Sequence, residues 1–167
     1  MNKLKLLILM IAASVTPVVA ADAFKDSDKT FAEKVAVDGM TEVELGRIAS
    51  EKSKSEKVKE FGNHMVKDHG KANEELKTVA SNHGLKLPTQ PDAEHQALID
   101  KLKVMNGAEF DNAYLAEMIT AHKKAIAALE DECKDGEQSL KSWAEKTLPT
   151  IKHHLKMAEE DKSQTHG

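Results

Sequence analysis

Apolar residues recur every three or four positions along four long stretches of the chain, the spacing of one face of an α-helix. The clearest stretch runs from Val58 to Ala80, where the stripe continues without a change of phase. An earlier stretch is predicted to begin at Ser27 or Asp28, both good N-cap residues, and to end near Ser50. The chain therefore opens with two helices joined by a short polar turn.

The second half of the chain repeats this arrangement. A third long helix is predicted from about Ala108 to Gly136, and the stripe of a fourth runs from Leu140 to Ala158. Pro149 lies inside the fourth stripe, but the apolar spacing resumes in phase after it. We therefore expect a kink at this proline and not a helix end.

A long connection separates the two halves. The second helix is predicted to end at His83 and Gly84, because glycine suits the position just after a helix. The connection then holds a short helix that begins after an N-cap at Asp92 and is broken at Asn106 and Gly107. Two hairpins and one such connection predict an all-α protein, a four-helix bundle whose single long crossover carries a short extra helix.

Each long helix places polar residues of metal-ligand type on its buried stripe. These residues are Asp38 and Glu42 on the first helix, His69 on the second, His122 on the third and His154 on the fourth. His153 is adjacent to His154 but lies about 100° around the helix, so it is predicted to sit at the edge of the stripe. The stripes therefore predict an interior that contains three imidazoles and at least one carboxylate.

Chain distances predict that these side chains lie at one level. From a turn at Lys54, Glu42 lies 12 residues back and His69 lies 15 residues forward, a difference of about 4 to 5 Å along the bundle. His122 and His154 lie 15 and 17 residues from the second turn, which makes them level within about one helical turn. We therefore expect the polar positions of all four helices to converge.

Two explanations satisfy such a group of buried polar side chains. Unpartnered, each would cost roughly 1–3 kcal/mol, so either a carboxylate–histidine hydrogen-bond network or a metal ion must be present. Imidazole ligands suit Zn, Cu, Fe and Ni. Three histidines and a carboxylate fit one Zn or Cu ion better than a pair of irons. The candidate ligands are His69, His122, His154 and either Glu42 or Asp38.

Methionines accompany the three histidines along the sequence. Met65 and Met118 each precede a stripe histidine by four residues, and Met157 follows one by three. Thioethers favour Cu(I), but methionine is also a common filler of irregular space in helical cores. The methionines alone therefore do not decide between copper and ordinary packing.

The first 20 residues have the layout of a secretory signal peptide. Lys3 and Lys5 precede a short apolar run, and small residues lead to an expected cleavage between Ala20 and Ala21. Residues 21–167 are then predicted to form a single bundle domain, with its core at about 28–160 and no stable membrane span after cleavage. The alternative is an apolar segment that is retained as an N-terminal anchor. The expected location is the periplasm, with or without association with the outer membrane.

Charge argues against a nucleic-acid partner. Removal of the signal takes two of the 24 basic residues and none of the 28 acidic ones, which leaves a formal charge of −6. Arg47 is the only arginine, whereas nucleic-acid binding needs a concentrated basic patch. Cys133 is the only cysteine, so an internal disulfide is excluded and the fold must be stabilised by packing.

Four blocks of the sequence resemble a bacterial family. The blocks VDGMTEVELGRIA, FGNHMVKDHGKAN, GAEFDNAYLAEMITAHKKAI and LPTIKHHLKMA are similar to exported proteins grouped as "domain of unknown function 4142". The resemblance implies a ferritin-like bundle and a periplasmic or outer-membrane location, but no activity. It implies motif positions at Glu42, Asp68, His69, Asp111, Tyr114, His122 and His154.

The chain departs from di-iron ferritin-like proteins at the site itself. Those proteins use Glu-x-x-His on two helices, whereas Val66, Ile119 and Ile151 stand three residues before the stripe histidines here. Without the bridging carboxylates, we do not expect ferroxidase chemistry or other catalysis. The sequence thus predicts an exported protein that binds a metal ion without catalysis. The alternative is a structural or envelope-stress interaction module with a buried His–carboxylate network.

Overall fold

The computed structural model describes residues 23–164, which form five α-helices and, within that range, no strand. The predicted signal peptide at residues 1–20 lies outside the described residues. The helices are α1 (Asp26–Lys52), α2 (Glu56–Asn82), α3 (Ala93–Val104), α4 (Gly107–Asp135) and α5 (Gln138–Gln164). The predicted all-α bundle with a short helix in its long crossover is therefore confirmed.

The first helix begins earlier than the sequence predicted. Its N-cap is Lys25, and Asp28, which was expected to be a cap, is the third residue of the helix. The Asp28 carboxylate accepts a hydrogen bond of 3.1 Å from the backbone N–H of Lys25. This contact satisfies the first turn from inside the helix, which is the carboxylate half of a capping box.

The bundle consists of two antiparallel hairpins, α1 with α2 and α4 with α5. Helix α2 packs on α5 and α1 packs on α4, while α3 lies against α1 and touches α4. Lys146 on α5 contacts Glu75 on α2, and Lys57 at the start of α2 contacts Gln164 at the end of α5. These pairings make α2 and α5 antiparallel, so the crossover must span the length of the bundle.

Helices α1 and α2 approach closely at two glycines. A Cβ at Gly46 would lie 2.8 Å from the carbonyl oxygen of Gly62, and a Cβ at Gly62 would lie 2.6 Å from the carbonyl oxygen of Gly46. Only the absence of a side chain allows backbone to meet backbone here. Gly84, with a φ of +73°, ends α2 in the left-handed conformation that the sequence predicted.

Helix α5 continues through Pro149, which is exposed on its outer side. Proline has no N–H, so the carbonyl of Glu145 lacks its helical donor. The apolar core forms two clusters, one around Phe61 and Met118 and one around Leu76 and Trp143. The buried polar residues of the stripes lie in the space between the two clusters, near the middle of the four long helices.

Candidate metal centre

Three of the long helices each contribute one buried histidine to the same point of the bundle interior. His122 and His154 are 0% exposed, and His69 is 5% exposed. Their ring centroids lie 5.3 Å apart for His69 and His154, 5.4 Å for His69 and His122, and 5.6 Å for His122 and His154. One ring nitrogen from each histidine lies within 4.8 Å of the others. The three stripe histidines therefore lie at one level, as chain distance predicted.

Each of the three rings has a hydrogen-bond partner on one nitrogen. Nδ1 of His69 lies 2.9 Å from a Glu42 oxygen, and Nε2 of His154 lies 3.0 Å from Asp68 Oδ2. Nδ1 of His122 lies 2.8 Å from the backbone oxygen of Met118. Because these acceptors have lone pairs only, the contacting ring nitrogens carry the protons.

When each ring is neutral, its opposite nitrogen holds the lone pair. Nδ1 of His154 lies 3.3 Å from Nε2 of His69. Nε2 of His122 is buried and has no hydrogen-bond partner among the described residues. Three imidazoles, each oriented by an acceptor on its far side, have the arrangement usual in histidine metal sites.

The spacing of the nitrogens fits a small transition-metal ion. Zn–N bonds of about 2.0–2.1 Å at tetrahedral angles place two ligand nitrogens about 3.3–3.4 Å apart. The separation of His69 and His154 already has this value. The remaining separations, up to 4.8 Å, need a contraction of up to about 1.5 Å to reach it. The donor set therefore fits Zn or Cu.

Glu42 contacts two of the histidines from the far side of their rings. One of its oxygens bonds Nδ1 of His69, and the other lies 3.5 Å from Nδ1 of His122. Burial alone would raise the pKa of Glu42, but the charge and hydrogen bond of His69 lower it to about 2, with help from His122 and His154. The sequence predicted Glu42 as a candidate ligand. In the structure, its carboxylate contacts Nδ1 of His69 and of His122 and orients these rings.

The charges of the three histidines differ. Burial disfavours a charge on His69, but the Glu42 carboxylate and its hydrogen bond outweigh burial and raise the pKa of His69. Burial and the positive charge of His69 lower the pKa of His154 to about 4. Burial also lowers the pKa of His122. The cluster thus favours one imidazolium beside Glu42 and two neutral rings.

Asp38 is not part of this cluster. Its carboxylate lies 2.6 Å from Lys34 Nζ and 3.0 Å from Nε2 of His95, a residue of α3. The Asp38 side chain is 28% exposed, compared with 7% for Glu42. One helical turn separates the two acids, and at the level of Asp38 the neighbour of α1 is the crossover helix and not the histidines. The sequence hypothesis that Asp38 is an alternative ligand therefore receives no support from its position.

Asp68 is the site residue that the stripe argument missed. It lies one residue before His69, about 100° around α2, so it stands at the edge of the buried face, with its side chain 29% exposed. Helix α5 brings His154 against that edge. Only its place among the motif positions of the resembled family singled out Asp68 in the sequence.

Asp111 and Tyr114 lie on α4, away from the histidines. Both are among the motif positions that the resemblance implies, but no described residue bonds Asp111 Oδ1 or the Tyr114 hydroxyl. The Tyr114 ring packs between Phe61 and Phe110, with centroid distances of 5.8 and 5.9 Å. Burial first, and then the charge of Glu42, raise the pKa of Tyr114, which keeps the phenol neutral.

Within residues 23–164, none of the helices has the length and apolar character needed to cross a bilayer.

Solved structures with this fold include a DUF305 fragment from Deinococcus radiodurans, with a TM-score of 0.75 and 13% identity, covering 85% of this chain and 99% of that one. A DUF305 protein from Streptomyces coelicolor has a TM-score of 0.72 and 14% identity, and the match covers 84% of this chain and 93% of that one.

A third similar structure is CopM in its Cu(I)-bound form, with a TM-score of 0.71 and 14% identity over 86% of this chain and all of that one. CopM has also been solved in Cu(II)-bound and silver-bound forms. At these identities the likeness shows the fold alone, and no curated protein sequence matches the chain significantly. The profile of a domain of unknown function, DUF4142, matches residues 13–160, and the chain belongs to that family.

Proposed function

We propose that this protein is exported to the bacterial periplasm and binds one transition-metal ion, copper or zinc, in the interior of its helix bundle. His69, His122 and His154 would be the ligands. The observation that carries the proposal is the convergence of one nitrogen from each ring within 4.8 Å, with none of the three histidines more than 5% exposed. The bound ion would supply a soft or borderline Lewis-acid centre that suits imidazole donors.

The chain's own residues prepare this site. Glu42, Asp68 and the Met118 carbonyl hold the protons on the far nitrogens, so the lone pairs of the near nitrogens point inward. When His69 loses its proton on binding, the buried Glu42 carboxylate is left to balance part of the positive charge of the ion. We propose binding without catalysis, because the carboxylates beside the cluster, Glu42 and Asp68, are already engaged as hydrogen-bond acceptors of His69 and His154.

Copper receives support from the similarity to CopM, which has been solved with Cu(I), Cu(II) and silver. Met65 and Met118 are fully or almost fully buried on the same stripes as His69 and His122. Thioethers are soft donors that favour Cu(I). Zinc remains the alternative because three imidazoles also suit it.

Metal analysis and thermal melting of purified, untagged protein test the proposal. One equivalent of Cu or Zn is expected to remain bound after desalting. An ion at 100 times its Kd stabilises the fold by about 2.7 kcal/mol, which corresponds to a rise in Tm of roughly 5–10 °C. His122→Leu should abolish the rise, whereas His153→Ala should keep it, because His153 is exposed beside the cluster.

The competing function is a structural or envelope-stress interaction module in which the same histidines only fix the register of the helices. The hydrogen bonds that His69 and His154 donate to Glu42 and Asp68 favour this alternative, because they satisfy those rings partly without an ion. Under it, His122→Leu is neutral or stabilising, and neither copper nor zinc changes the Tm of the parent. That result would refute metal binding.

A further inference from the structure

A small cavity connects the histidines to the surface between α2 and α5. Its volume is about 110 Å³, which has room for about three waters at the 30 Å³ that each occupies in the liquid. His69 and His154 form part of its wall. Their facing nitrogens are the two that lie 3.3 Å apart. The cavity therefore borders the two rings whose nitrogens already have metal-ligand spacing.

A second cavity near the centre lies on the other side of the bundle, between α1, α3 and α4. It is larger, about 500 Å³, and Glu42 and Met118 are part of its wall. None of the three histidines lines it. The cavity therefore reaches the carboxylate behind the rings, whereas the rings themselves are not part of its wall.

Helix α5 forms part of the wall of the first cavity, and this part includes the helical turn around Pro149. Thr147, Thr150 and Ile151 line the cavity on either side of Pro149. Since the carbonyl of Glu145 has no helical donor, this turn is held by one hydrogen bond fewer than a regular turn. A helix widens most easily where its hydrogen-bond ladder is already interrupted.

Charged residues surround the mouth of the same cavity. Lys146 on α5 lies 2.8 Å from both carboxylate oxygens of Glu75 on α2, and its side chain is 61% exposed. An exposed pair of this kind contributes at most about 1 kcal/mol, so its separation is easy. Further in, the Asp68 carboxylate lies between solvent and His154. A cation that passes the Glu75–Lys146 pair therefore meets an oxygen donor before it meets the imidazoles.

We propose that the cavity between α2 and α5 is the route by which a metal cation reaches the three histidines. The Glu75–Lys146 pair forms its mouth, Asp68 is the first oxygen donor along it, and the turn at Pro149 is the part of the wall that yields. This inference rests on the proposed metal-binding function and adds to it a direction of access and the residues that set its rate.

Stopped-flow binding of Co²⁺ to the whole chain, followed by the visible absorbance of the bound ion, tests the route. Lys146→Glu makes the mouth more acidic and is expected to raise the association rate at least about threefold at low ionic strength, with the effect lost at high salt. Lys124→Glu is the matched control, because it makes the same change of charge beside the larger cavity. The control should change the rate much less.

Blocking variants give an independent measurement. Thr150 and Ala121 are both half-buried, and each lines one of the two cavities. Thr150→Phe is expected to slow association and dissociation together by about tenfold, which leaves the equilibrium affinity nearly unchanged. Ala121→Phe should leave both rates near those of the parent. If Thr150→Phe does not fold, the pair of lysine variants decides.

The outcomes separate this inference from the function on which it rests. A parent protein that binds no Co²⁺, Cu²⁺ or Zn²⁺ at equilibrium would overturn the proposed function, and the route with it. A parent that binds, but is slowed by Ala121→Phe and not by Thr150→Phe, would overturn the route alone. Equal effects of Lys146→Glu and Lys124→Glu would also overturn the route alone, since net charge would then explain the rate.

Discussion

The Glu42 carboxylate lies 2.9 Å from Nδ1 of His69, and both side chains are almost completely buried. This contact joins α1 to α2 at the centre of the bundle and directs the other nitrogen of His69 toward His154. A single carboxylate thus stabilises the fold and orients a ring, while the charge and hydrogen bond of His69 lower the pKa of the carboxylate. The relationship makes Glu42 the residue whose change has the widest expected effects.

Glu42→Gln is expected to destabilise the metal-free protein by about 2 kcal/mol, because a buried hydrogen bond between charged groups is replaced by a neutral one. The same change should weaken metal affinity about 10- to 100-fold, as is usual when the far-side partner of a ligand histidine is altered. Urea unfolding and a competitive metal titration measure the two effects. Unchanged affinity would show that Glu42 has no part in orienting the rings.

Asp68→Asn is expected to keep most of the metal affinity, because an amide oxygen still accepts the proton on Nε2 of His154. Asp68→Leu should weaken affinity about 10- to 100-fold, since the ring then loses the acceptor that fixes its tautomer. Isothermal titration of both variants makes the comparison. Equal losses in the two variants would indicate that the charge of Asp68, and not its hydrogen bond, matters.

The metal-free protein is expected to lose stability as pH falls from about 6.5 to 4. His154 stays neutral in the folded state, where its pKa is about 4, but takes up a proton in the unfolded state at about 6.5. The unfolded state therefore binds more protons in this window, at a cost of order 3 kcal/mol. His69, whose pKa is raised, opposes this loss near pH 6.5, where the folded state holds its proton more tightly, and adds no slope below about pH 5.5, where both states are protonated.

Urea unfolding with a chelator at pH 7.5, 5.5 and 4.5 measures this dependence. The free energy of unfolding of His154→Leu should fall less steeply than that of the parent over the same range, because the variant has no imidazole to charge on unfolding. Parallel profiles for the two proteins would contradict the assignment of a neutral His154 to the folded state.

Gly62→Ala is expected to destabilise the protein by about 3 kcal/mol. The new Cβ would meet the backbone oxygen of Gly46 at 2.6 Å and the backbone nitrogen of Ser50 at 2.9 Å, so α1 and α2 would have to separate. Gly70→Ala is the control on the same helix, since a Cβ there meets nothing within 4 Å. That change should stabilise the helix by about 0.5–1 kcal/mol. Thermal melting compares the two, and a similar Tm change in both would argue against the close contact.

The sequence by itself determined the helices and the direction in which their histidines point. A period of 3.6 residues fixes the side of a helix on which a residue lies, so His154 faced inward and His153 did not. Counting from the turns then placed His69, His122 and His154 at one level, because in an antiparallel hairpin the number of residues from the turn determines the position along the bundle axis.

Only the tertiary structure decided which groups touch. Asp38 and Glu42 share a stripe, but they have different partners. Asp38 contacts His95 on α3, whereas Glu42 contacts the buried histidines. Asp68 lies at the edge of a stripe and becomes a partner of His154 because α5 packs against that edge. Contacts of this kind depend on the rotation of each helix about its axis and on the angles at which helices cross. Many residues that are distant in sequence determine these two quantities together. The period of one helix carries no information about them.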